Sequence, residues 1–390
     1  MKKKIAILGS TGSIGESTVK ILNNNKKNIK IDLLSTNKNV KKIYNQAKKF
    51  NVKKIVVHNH ETFKKYKFFF KKKKIKIYQN VVDYLKDNKK TRFDYTMSSI
   101  SGLEGLIPTL EIIKVTNSIA IANKESIICG WSLIKKELKK YKTNFIPVDS
   151  EHFSILKLIN HENKLDIKKI FITASGGPFL NHNLSKLKNI KPREALKHPK
   201  WRMGKKISID SATLMNKVFE IVEAQKLFSI PDKKIDILIH PNSLVHAIIY
   251  FKNGLVKFLY HETSMIIPLA NAIFDGKLNI ECFYKSAKNS KSKIAESLIF
   301  KNVDKKKFPL IKLKNEISKY PSTPIIINAA NEVLVNEFLK NKIPYMDINR
   351  QILSILNDSN YRKYAIKKPK TLKEILKIDS WAKSTIKNKI

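Results

Sequence analysis

Two acidic side chains near the middle of the chain have the spacing of a divalent-cation site. Asp149-Ser150-Glu151-His152 directly follows the apolar run Phe145–Val148. If this segment is extended, carboxylates at positions i and i+2 point to the same side of it, and hard oxygen ligands suit Mg²⁺ or Mn²⁺. An acidic residue after Asp or Ser also fits a helix N-cap, so both interpretations stay open.

A second polar group follows further along the chain. Asn216, Lys217 and Glu220 stand at helical spacings on a helix predicted to begin near Ser211. Residues three and four apart share one helical face, so an amide, an ammonium and a carboxylate are expected to lie together there. A binding site is one interpretation of this face, and an exposed polar stripe is the other.

Two further segments favour the binding interpretation. Thr173–Phe179 is predicted to be a strand end entering a Ser-Gly-Gly turn, which presents the Ser175 hydroxyl and backbone N–H groups to an anion such as phosphate. His198–Gly204 places a histidine, a tryptophan and a methionine on a predicted loop. A large aromatic side chain on a loop suggests a lid that excludes water, whereas packing beneath the loop is the alternative for Trp201.

A glycine-rich turn near the start of the chain predicts nucleotide binding. Gly9–Gly15 has the spacing G-x-x-G-x-x-G between a predicted strand and a predicted helix. Small residues there let the backbone approach a pyrophosphate, and the helix N-terminus supplies free N–H groups, although a tight structural turn is the alternative. The second strand ends in Ser35–Asn39, which has no carboxylate to repel a 2′-phosphate and has Lys38 to meet one. NADP is therefore favoured over NAD.

The elements that must position these residues predict an α/β protein. Short apolar runs alternate with helical stretches over roughly the first 145 residues, which predicts a Rossmann-like, doubly wound parallel sheet. A central α+β catalytic domain with a mixed sheet and a C-terminal helical bundle are expected to follow. The predicted boundaries are 1–148, 149–275, a linker at 276–301, and 302–390. Predicted strands are Lys3–Leu8, Ile29–Ser35, Lys54–His58, Asp94–Ser98, Ser118–Ala122, Lys169–Thr173, Ile235–Ile239, Leu244–Phe251 and Leu255–Tyr260.

Composition sets broad limits on the function. A formal net charge of +45 first suggests a nucleic-acid or anionic-membrane partner. Lysine, asparagine and isoleucine are over-used together and the lysines are spread along the whole chain, so a solvated surface is favoured and neither partner is expected. Cys129 and Cys282 are expected to be buried or half-buried free thiols. No apolar run is long enough to span a membrane, and a cytoplasmic location is expected.

Taken together, these motifs give the chain a close resemblance to the 1-deoxy-D-xylulose 5-phosphate reductoisomerase family over essentially its whole length. The blocks that carry the resemblance are Gly9–Gly15, Ala122–Glu125, Val148–His152, Ser175–Phe179, His198–Gly204, Asp210–Glu220, Ile239–His246 and Asn328–Glu332.

The resemblance implies a reaction in two steps on a phosphorylated ketose. A metal-chelated substrate rearranges its carbon skeleton by a retro-aldol and aldol sequence, and NADPH then reduces the resulting aldehyde to 2-C-methyl-D-erythritol 4-phosphate. It also implies a homodimer, and Mg²⁺, Mn²⁺ or Co²⁺ as the metal.

The resemblance further assigns roles to individual residues. The implied metal ligands are Asp149, Glu151 and Glu220. The implied catalytic residues are these three with Lys124 and His198, and Lys124 is expected to lie near both cofactor and substrate. The implied substrate contacts are Lys124, Ser150, Glu151, Ser175, His198, Trp201, Met203, Ser211, Asn216, Lys217 and Glu220. The implied cofactor contacts are Thr11, Gly12, Ser13, Ile14, Asn37, Lys38, Asn39, Asn123, Glu125 and Gly204.

One position and one segment depart from the family pattern, and two other hypotheses compete. Asn37 stands after the second strand where relatives usually have glycine, and asparagine tolerates the left-handed backbone that glycine would adopt there. Tyr260–Pro268 lacks the Pro-Asp-Met-Arg pattern typical of the family at this place, which puts its local contacts in doubt. One competing hypothesis, motivated by the charge, is a nucleic-acid-binding protein built on a dehydrogenase scaffold. The other is a metal-dependent dehydrogenase that does not rearrange carbon.

Overall fold

The computed structural model describes residues 2–201, 203–283 and 297–390. The chain forms two compact units, of which the first comprises Met1–Asp149 with Met265–Ser286, and the second Ser150–Ser264 with Ala287–Ile390. Residues 265–275 thus cluster with the first unit, although they were predicted to continue the catalytic domain. The predicted linker at 276–301 lies partly outside the described residues, and the division into four segments stays a prediction.

The first unit contains the predicted parallel sheet. Among the described residues it has seven parallel strands in the order β4-β3-β2-β1-β5-β6-β7. The strands are β1 (Lys3–Leu8), β2 (Ile29–Thr36), β3 (Lys54–Val57), β4 (Lys76–Tyr78), β5 (Phe93–Ser98), β6 (Thr116–Ile121) and β7 (Asn144–Ile146). The doubly wound fold is confirmed. Among the described strands of this sheet, only the two three-residue edge strands were not predicted, because they are too short to show a pattern.

Helices follow the strands of this unit in the expected alternation. They are α1 (Ser13–Asn23), α2 (Val40–Phe50), α3 (His60–Lys72), α4 (Val81–Asp87), α5 (Leu106–Ile113) and α6 (Lys124–Tyr141). From the later segment, α11 (Ile266–Phe274) packs against α1, and Lys3 Nζ donates to the Ile273 carbonyl at 2.6 Å. Ile5 and Ile7 of the central strand are fully buried in the apolar core to which α11 contributes Leu269 and Ile273.

The second unit contains a smaller, mixed sheet. Among the described residues its four strands are ordered β11-β10-β8-β9, with β8 and β9 parallel and the other pairs antiparallel. The strands are β8 (Ile167–Ala174), β9 (Ile235–Ile239), β10 (Val245–Phe251) and β11 (Val256–Tyr260), and the helices beside them are α7 (Ser150–Leu158), α8 (Pro192–Ala195), α9 (Lys205–Ala212) and α10 (Met215–Phe228). The predicted mixed sheet is confirmed.

The C-terminal part of this unit is helical, as expected. Its helices are α12 (Thr323–Leu339), α13 (Tyr345–Ser354), α14 (Tyr361–Ala365) and α15 (Leu372–Lys387). Helix α12 is buried on nearly all sides, and it contacts α13, α15 and α9. A helix that is apolar around most of its circumference belongs in a core, so α12 is the central element of this part.

Two local expectations were wrong, and both concern where a helix begins. The Asp149–Glu151 segment is not extended, because α7 begins at Ser150 and places Glu151 in its first turn. Ser211 does not start the helix of Glu220, since α9 ends at Ala212 and α10 begins at Met215. The break is local: the Thr213 hydroxyl bonds to the Ile209 carbonyl of the preceding turn, and Leu214 adopts a left-handed φ of 58°.

The sequence also led to expectations about the two cysteines and about membrane-spanning segments. Cys129 is buried, as expected, whereas Cys282 is exposed, and both are free thiols. Among the described residues, no helix combines the length and apolar character needed to cross a membrane.

Candidate active site

Three carboxylates come together where α7 begins. Asp149, Glu151 and Glu220 each offer an oxygen atom, and these oxygens all lie within 4.8 Å of one another. Asp149 directly precedes α7, Glu151 lies in the first turn of that helix, and Glu220 is on α10. Oxygens about 2.1 Å from a common Mg²⁺ can be at most roughly 4.2 Å apart, so only a small adjustment separates this arrangement from a coordination shell. The donor set fits a hard divalent cation.

Lys217 holds two of these carboxylates together. Its Nζ lies 2.5 Å from Glu151 Oε1 and 2.8 Å from Glu220 Oε2, and all three side chains are buried or nearly so. Burial lowers the pKa of Lys217, but the charges of Glu151 and Glu220 and the hydrogen bonds to them outweigh burial, and the pKa lies above its usual value. The ammonium therefore balances charge that two buried carboxylates alone would not tolerate.

Neighbouring groups fix the two glutamates further. Ser150 Oγ donates to Glu151 Oε2 at 2.7 Å, and Asn216 Nδ2 lies 3.4 Å from Glu220 Oε1. The backbone carbonyl of Glu220 accepts from His152 Nε2 at 2.9 Å. Hydrogen bonds of this kind orient metal ligands, so the carboxylates are held in place by the protein itself.

Lys124 lies beside the third carboxylate. It is the first residue of α6, it is 8% exposed, and its Nζ lies 3.3 Å from Asp149 Oδ2. A largely buried ammonium next to a carboxylate keeps its donor hydrogens in fixed directions. The structure thus brings this predicted residue to the predicted metal ligand.

Ser175 and His198 form a second pair of predicted site residues. His198 Nδ1 accepts the backbone N–H groups of Lys200 at 3.1 Å and Trp201 at 2.9 Å. The other ring nitrogen, Nε2, lies 2.9 Å from Ser175 Oγ, which also accepts the Gly177 N–H at 3.1 Å. Since Nδ1 accepts, the neutral ring carries its proton on Nε2 and donates it to Ser175.

This arrangement determines what Ser175 can do. Burial, with a smaller contribution from the charge of Lys217, lowers the pKa of His198 to about 4, so the ring is neutral at physiological pH. The Ser175 oxygen accepts two hydrogen bonds, so its own O–H can donate to a further group. A hydroxyl oriented in this way, beside the glycine turn, is a suitable donor to a phosphate oxygen.

The loop with Trp201 rests on two stacked histidines. The Trp201 ring meets His246 edge-on, with ring centroids 6.1 Å apart, and His246 stacks on His261 at 3.8 Å. Trp201 and Met203 are both partly exposed. The atypical Tyr260–Pro268 segment thus supplies His261, whose Nδ1 lies 2.8 Å from the Glu262 carbonyl.

The Ser175 turn packs directly on the end of α9, where Ser211 lies. Gly177 has a φ of +66°, and a Cβ on it would lie 2.8 Å from the Ser211 carbonyl oxygen. Only glycine allows so close an approach of the two backbones. Two of the predicted substrate-binding serines are therefore carried by segments in direct backbone contact.

The glycine turn of the first unit has the geometry of a nucleotide-binding turn. A Cβ on Gly15 would lie 2.3 Å from the Gly9 carbonyl oxygen, whereas one on Gly12 would be 3.5 Å from it. Gly12 is the N-cap of the 11-residue helix α1, and no side-chain hydrogen bond from this cap occupies the first N–H groups of the helix, which include those of Ser13 and Ile14. Thr11 Oγ1 is 2.7 Å from Thr36 Oγ1 and ties the turn to the end of β2.

The other predicted cofactor residues lie on several segments, and some of them have structural roles. Asn37 and Lys38 link β2 to α2, and the Asn39 side chain caps α2 by accepting the Lys42 N–H at 3.1 Å. Asn123 Oδ1 caps α6 at 3.0 Å, and its amide nitrogen donates to two backbone carbonyls. Two residues remain: Glu125 is buried in the first turn of α6, and Gly204 caps α9 in the second unit.

Family models match three stretches of the chain. The model of 1-deoxy-D-xylulose 5-phosphate reductoisomerase matches residues 5–130, and two models of its C-terminal domains match residues 145–228 and 262–385. The reductoisomerase of Pelagibacter ubique is 50% identical over 381 residues, which is 97% of each chain. The chain belongs to the 1-deoxy-D-xylulose 5-phosphate reductoisomerase family. This membership confirms the resemblance and favours it over both competing hypotheses.

Other reductoisomerases agree with this assignment. That of a Wolbachia from Drosophila simulans is 40% identical, covering 89% of this chain and 88% of its own. The solved reductoisomerase of Zymomonas mobilis, in complex with NADPH, has a TM-score of 0.84 at 31% identity over 99% of this chain and 98% of its own. Another, in complex with NADPH, fosmidomycin and magnesium, has a TM-score of 0.90 at 29% identity over the same shares.

Two buried neighbours of the carboxylates, His152 and Glu223, were not predicted from the sequence as site residues. His152 Nδ1 lies 3.9 Å from Glu223 Oε2, and both side chains are almost completely buried. The signal was present, since His152 follows Glu151 and Glu223 stands one helical turn after Glu220. Spacing alone does not tell a buried polar pair from a solvated one.

Proposed function

We propose that this chain converts 1-deoxy-D-xylulose 5-phosphate to 2-C-methyl-D-erythritol 4-phosphate, with NADPH as reductant and a divalent cation as cofactor. The observation that carries the proposal is the approach of Asp149, Glu151 and Glu220 to within 4.8 Å of one another, in a member of this family. We assign these three residues as the metal ligands.

The two cofactors supply the chemistry that side chains lack. A bound divalent cation polarises the carbonyl oxygen of a ketose and stabilises charge that develops during carbon–carbon bond rearrangement. Bound NADPH supplies the hydride. The residues that would hold the cation are the three carboxylates, and those that would hold NADPH are the glycine turn and the segments beside it.

The protein's own contribution begins with positioned charge. Lys217 keeps Glu151 and Glu220 side by side, so the ligand oxygens are assembled before any cation binds. Lys124, beside Asp149, is placed to hold or donate a proton at a substrate oxygen. Positioned groups of this kind lower the barrier because they need not reorganise during the reaction.

The phosphate end of the substrate is recognised by donors on the Ser175 turn, at the end of α9 and on α10, and the α10 donors also contact the carboxylates. We assign this role to Ser175, Ser211, Asn216 and Lys217, with His198 orienting the Ser175 hydroxyl. Binding energy from a non-reacting phosphate can drive closure of a loop over the substrate. Trp201 and Met203 are the side chains that such closure would bring over the site, where they would exclude water.

A homodimer is part of this proposal. Strand β11 is an edge strand, and three apolar side chains around it are strongly exposed: Tyr250 by 39%, Val256 by 45% and Phe258 by 49%. Val256 and Tyr250 are directly opposite each other on neighbouring strands. An exposed apolar edge strand of this kind can pair with a strand of another chain, and a second copy of this chain would cover its apolar side chains.

The proposal also covers which divalent cations the site accepts and in which cellular compartment the enzyme acts. An all-carboxylate donor set accepts Mn²⁺ or Co²⁺ as well as Mg²⁺. We place the enzyme in the cytoplasm, and its two free thiols support a reducing compartment.

The proposal is tested by turnover and by product structure. Purified protein is mixed with NADPH and 1-deoxy-D-xylulose 5-phosphate, and NADPH absorbance is followed with Mg²⁺ or with a chelator in excess. We expect oxidation only with the metal, and NMR of the product should show a branched carbon skeleton. A reduced product with an unbranched skeleton would refute the reductoisomerase activity and leave a simple dehydrogenase.

A further inference from the structure

The C-terminal helices contact the two segments that carry Ser175 and Ser211. These segments already touch, since the Gly177 backbone packs against the Ser211 carbonyl. Helices α12 and α13 lie behind this contact and reach it with two buried polar side chains, Asn331 and Tyr345. Each of these side chains makes a hydrogen bond to the Ser211 region in addition to its packing contacts.

Tyr345 bridges the two segments. Its hydroxyl donates to the carbonyl of Ala212, the residue after Ser211, at 2.7 Å. Its ring meets Phe179, at the end of the Ser175 turn, edge-on with centroids 5.2 Å apart. The side chain is 2% exposed, and burial raises the pKa of Tyr345, so its hydroxyl remains a donor at any physiological pH.

Asn331 acts on the residue before Ser211. Its Nδ2 donates to Asp210 Oδ1 at 2.7 Å, and Asp210 Oδ2 lies 2.9 Å from Lys206 Nζ. Asp210 is 1% exposed and Asn331 is fully buried. A buried carboxylate needs its partners, so this contact ties the last turn of α9 to the core of the C-terminal helices.

We propose that Tyr345 and Asn331 are positioning residues for the phosphate-binding serines. They hold the Ser175 turn and the Ser211 end of α9 in one arrangement, so that both hydroxyls meet the same phosphomonoester without reorganisation. The inference rests on the proposed function, because that function identifies the two serines as phosphate ligands. It gives the C-terminal helices a specific role in substrate affinity.

The test compares two tyrosines of the same helical region. Tyr345→Phe removes the hydroxyl that reaches Ala212 and keeps the ring against Phe179. Tyr361→Phe is the matched control, because its hydroxyl lies 2.7 Å from Thr323 Oγ1 at the start of α12. For each full-length protein, calorimetry gives the Kd of inorganic phosphate, and steady-state kinetics give KM and kcat for 1-deoxy-D-xylulose 5-phosphate.

We expect Tyr345→Phe to raise the phosphate Kd and the substrate KM by about 3- to 10-fold, the size of one hydrogen bond, with kcat nearly unchanged. Tyr361→Phe should match the wild type in all three values. Asn331→Leu, a second variant of similar size, should shift Kd and KM in the same direction. A purely structural role would lower the melting temperature of the Tyr345 variant and leave Kd and KM where the control has them.

The two proposals fail in different ways. Equal phosphate Kd and KM values in both tyrosine variants would overturn the positioning role, even if the wild type turns over substrate. If the wild type binds phosphate but does not oxidise NADPH with the substrate, the proposed function is wrong. A shifted phosphate Kd in Tyr345→Phe would then still support the positioning role.

Discussion

The ammonium nitrogen of Lys217 lies 2.8 Å from Oε2 of Glu220, on a side chain one turn further along the same helix. Because Glu151 reaches the same ammonium from α7, the site contains a cation of its own before any metal binds. Several expected outcomes depend on this arrangement.

Replacement of the proposed ligand Glu220 should abolish most of the activity. Glu220→Gln keeps the size of the side chain and removes its charge, so the protein should still fold. Its kcat/KM should fall by at least about 100-fold, which exceeds the loss expected when a residue that only orients a metal ligand is removed. Glu337→Gln, at an exposed ion pair on α12, is the control and should stay active. Turnover at several Mg²⁺ concentrations provides the measurement, and wild-type turnover by Glu220→Gln would remove this residue from the ligand set.

Removal of the ammonium is expected to destabilise the metal-free protein. Lys217→Met leaves Glu151 and Glu220 buried without their shared partner, which costs roughly 3–5 kcal/mol in the free energy of unfolding. Mg²⁺ should restore more stability to the variant than to the wild type, because it would replace the missing charge. Urea denaturation with and without Mg²⁺ measures both effects, and an equal response of the two proteins to Mg²⁺ would contradict the shared site.

His198 predicts how stability depends on pH. Its pKa in the folded protein is about 4, against 6.5 ordinarily, so between these values the unfolded chain binds more protons. The contribution of the neutral ring is complete above pH 6.5 and is lost as the pH falls toward 4. His198→Gln should therefore flatten the decline in unfolding free energy between pH 6.5 and 4, whereas His60→Gln at an exposed position should not. Parallel curves for wild type and His198→Gln would count against a buried neutral imidazole.

Two glycines of the nucleotide turn should respond differently to alanine. At Gly15 a Cβ would lie 2.3 Å from the Gly9 carbonyl oxygen, so Gly15→Ala should reduce stability by about 1–3 kcal/mol. At Gly12 the nearest contact of a Cβ, with the Gly9 carbonyl oxygen, would be 3.5 Å, so Gly12→Ala should fold normally and weaken NADPH binding by crowding the pyrophosphate. Thermal melting and NADPH fluorescence titration separate these effects, and unchanged NADPH affinity in Gly12→Ala would place the pyrophosphate elsewhere.

The exposed edge strand predicts the oligomeric state. Phe258→Asp should convert the proposed dimer to a monomer, because a carboxylate would then have to be buried against the second copy. Ile366→Asp changes an apolar residue of similar exposure elsewhere, 54% against 49%, and should leave the dimer intact. Light scattering after size exclusion gives the masses. A dimer that survives the Phe258 change would assign the interface to another surface.

The sequence predicts the frame of this protein better than its local geometry. Strands such as β1 and β10 are predictable because buried apolar runs have a clear pattern. Asp149 and Glu151 were singled out by residue type and spacing, whereas the family resemblance added Glu220 to them as a metal ligand. The break at Leu214 was not predicted, since it depends on a left-handed backbone that no side chain announces. The proposed role of Tyr345 could not be predicted from the sequence either, because its hydrogen-bond partner, the Ala212 carbonyl, lies 133 residues away along the chain.

The course of the chain has a practical consequence for anyone who wants to study one half alone. Since Met265–Ser286 returns to the first unit, no single cut in the gene isolates either half. A fragment that stops at Asp149 would lack α11, and the apolar side chains that Leu269 and Ile273 cover would meet water. Expression of the nucleotide-binding half therefore needs a fusion that reconnects both pieces.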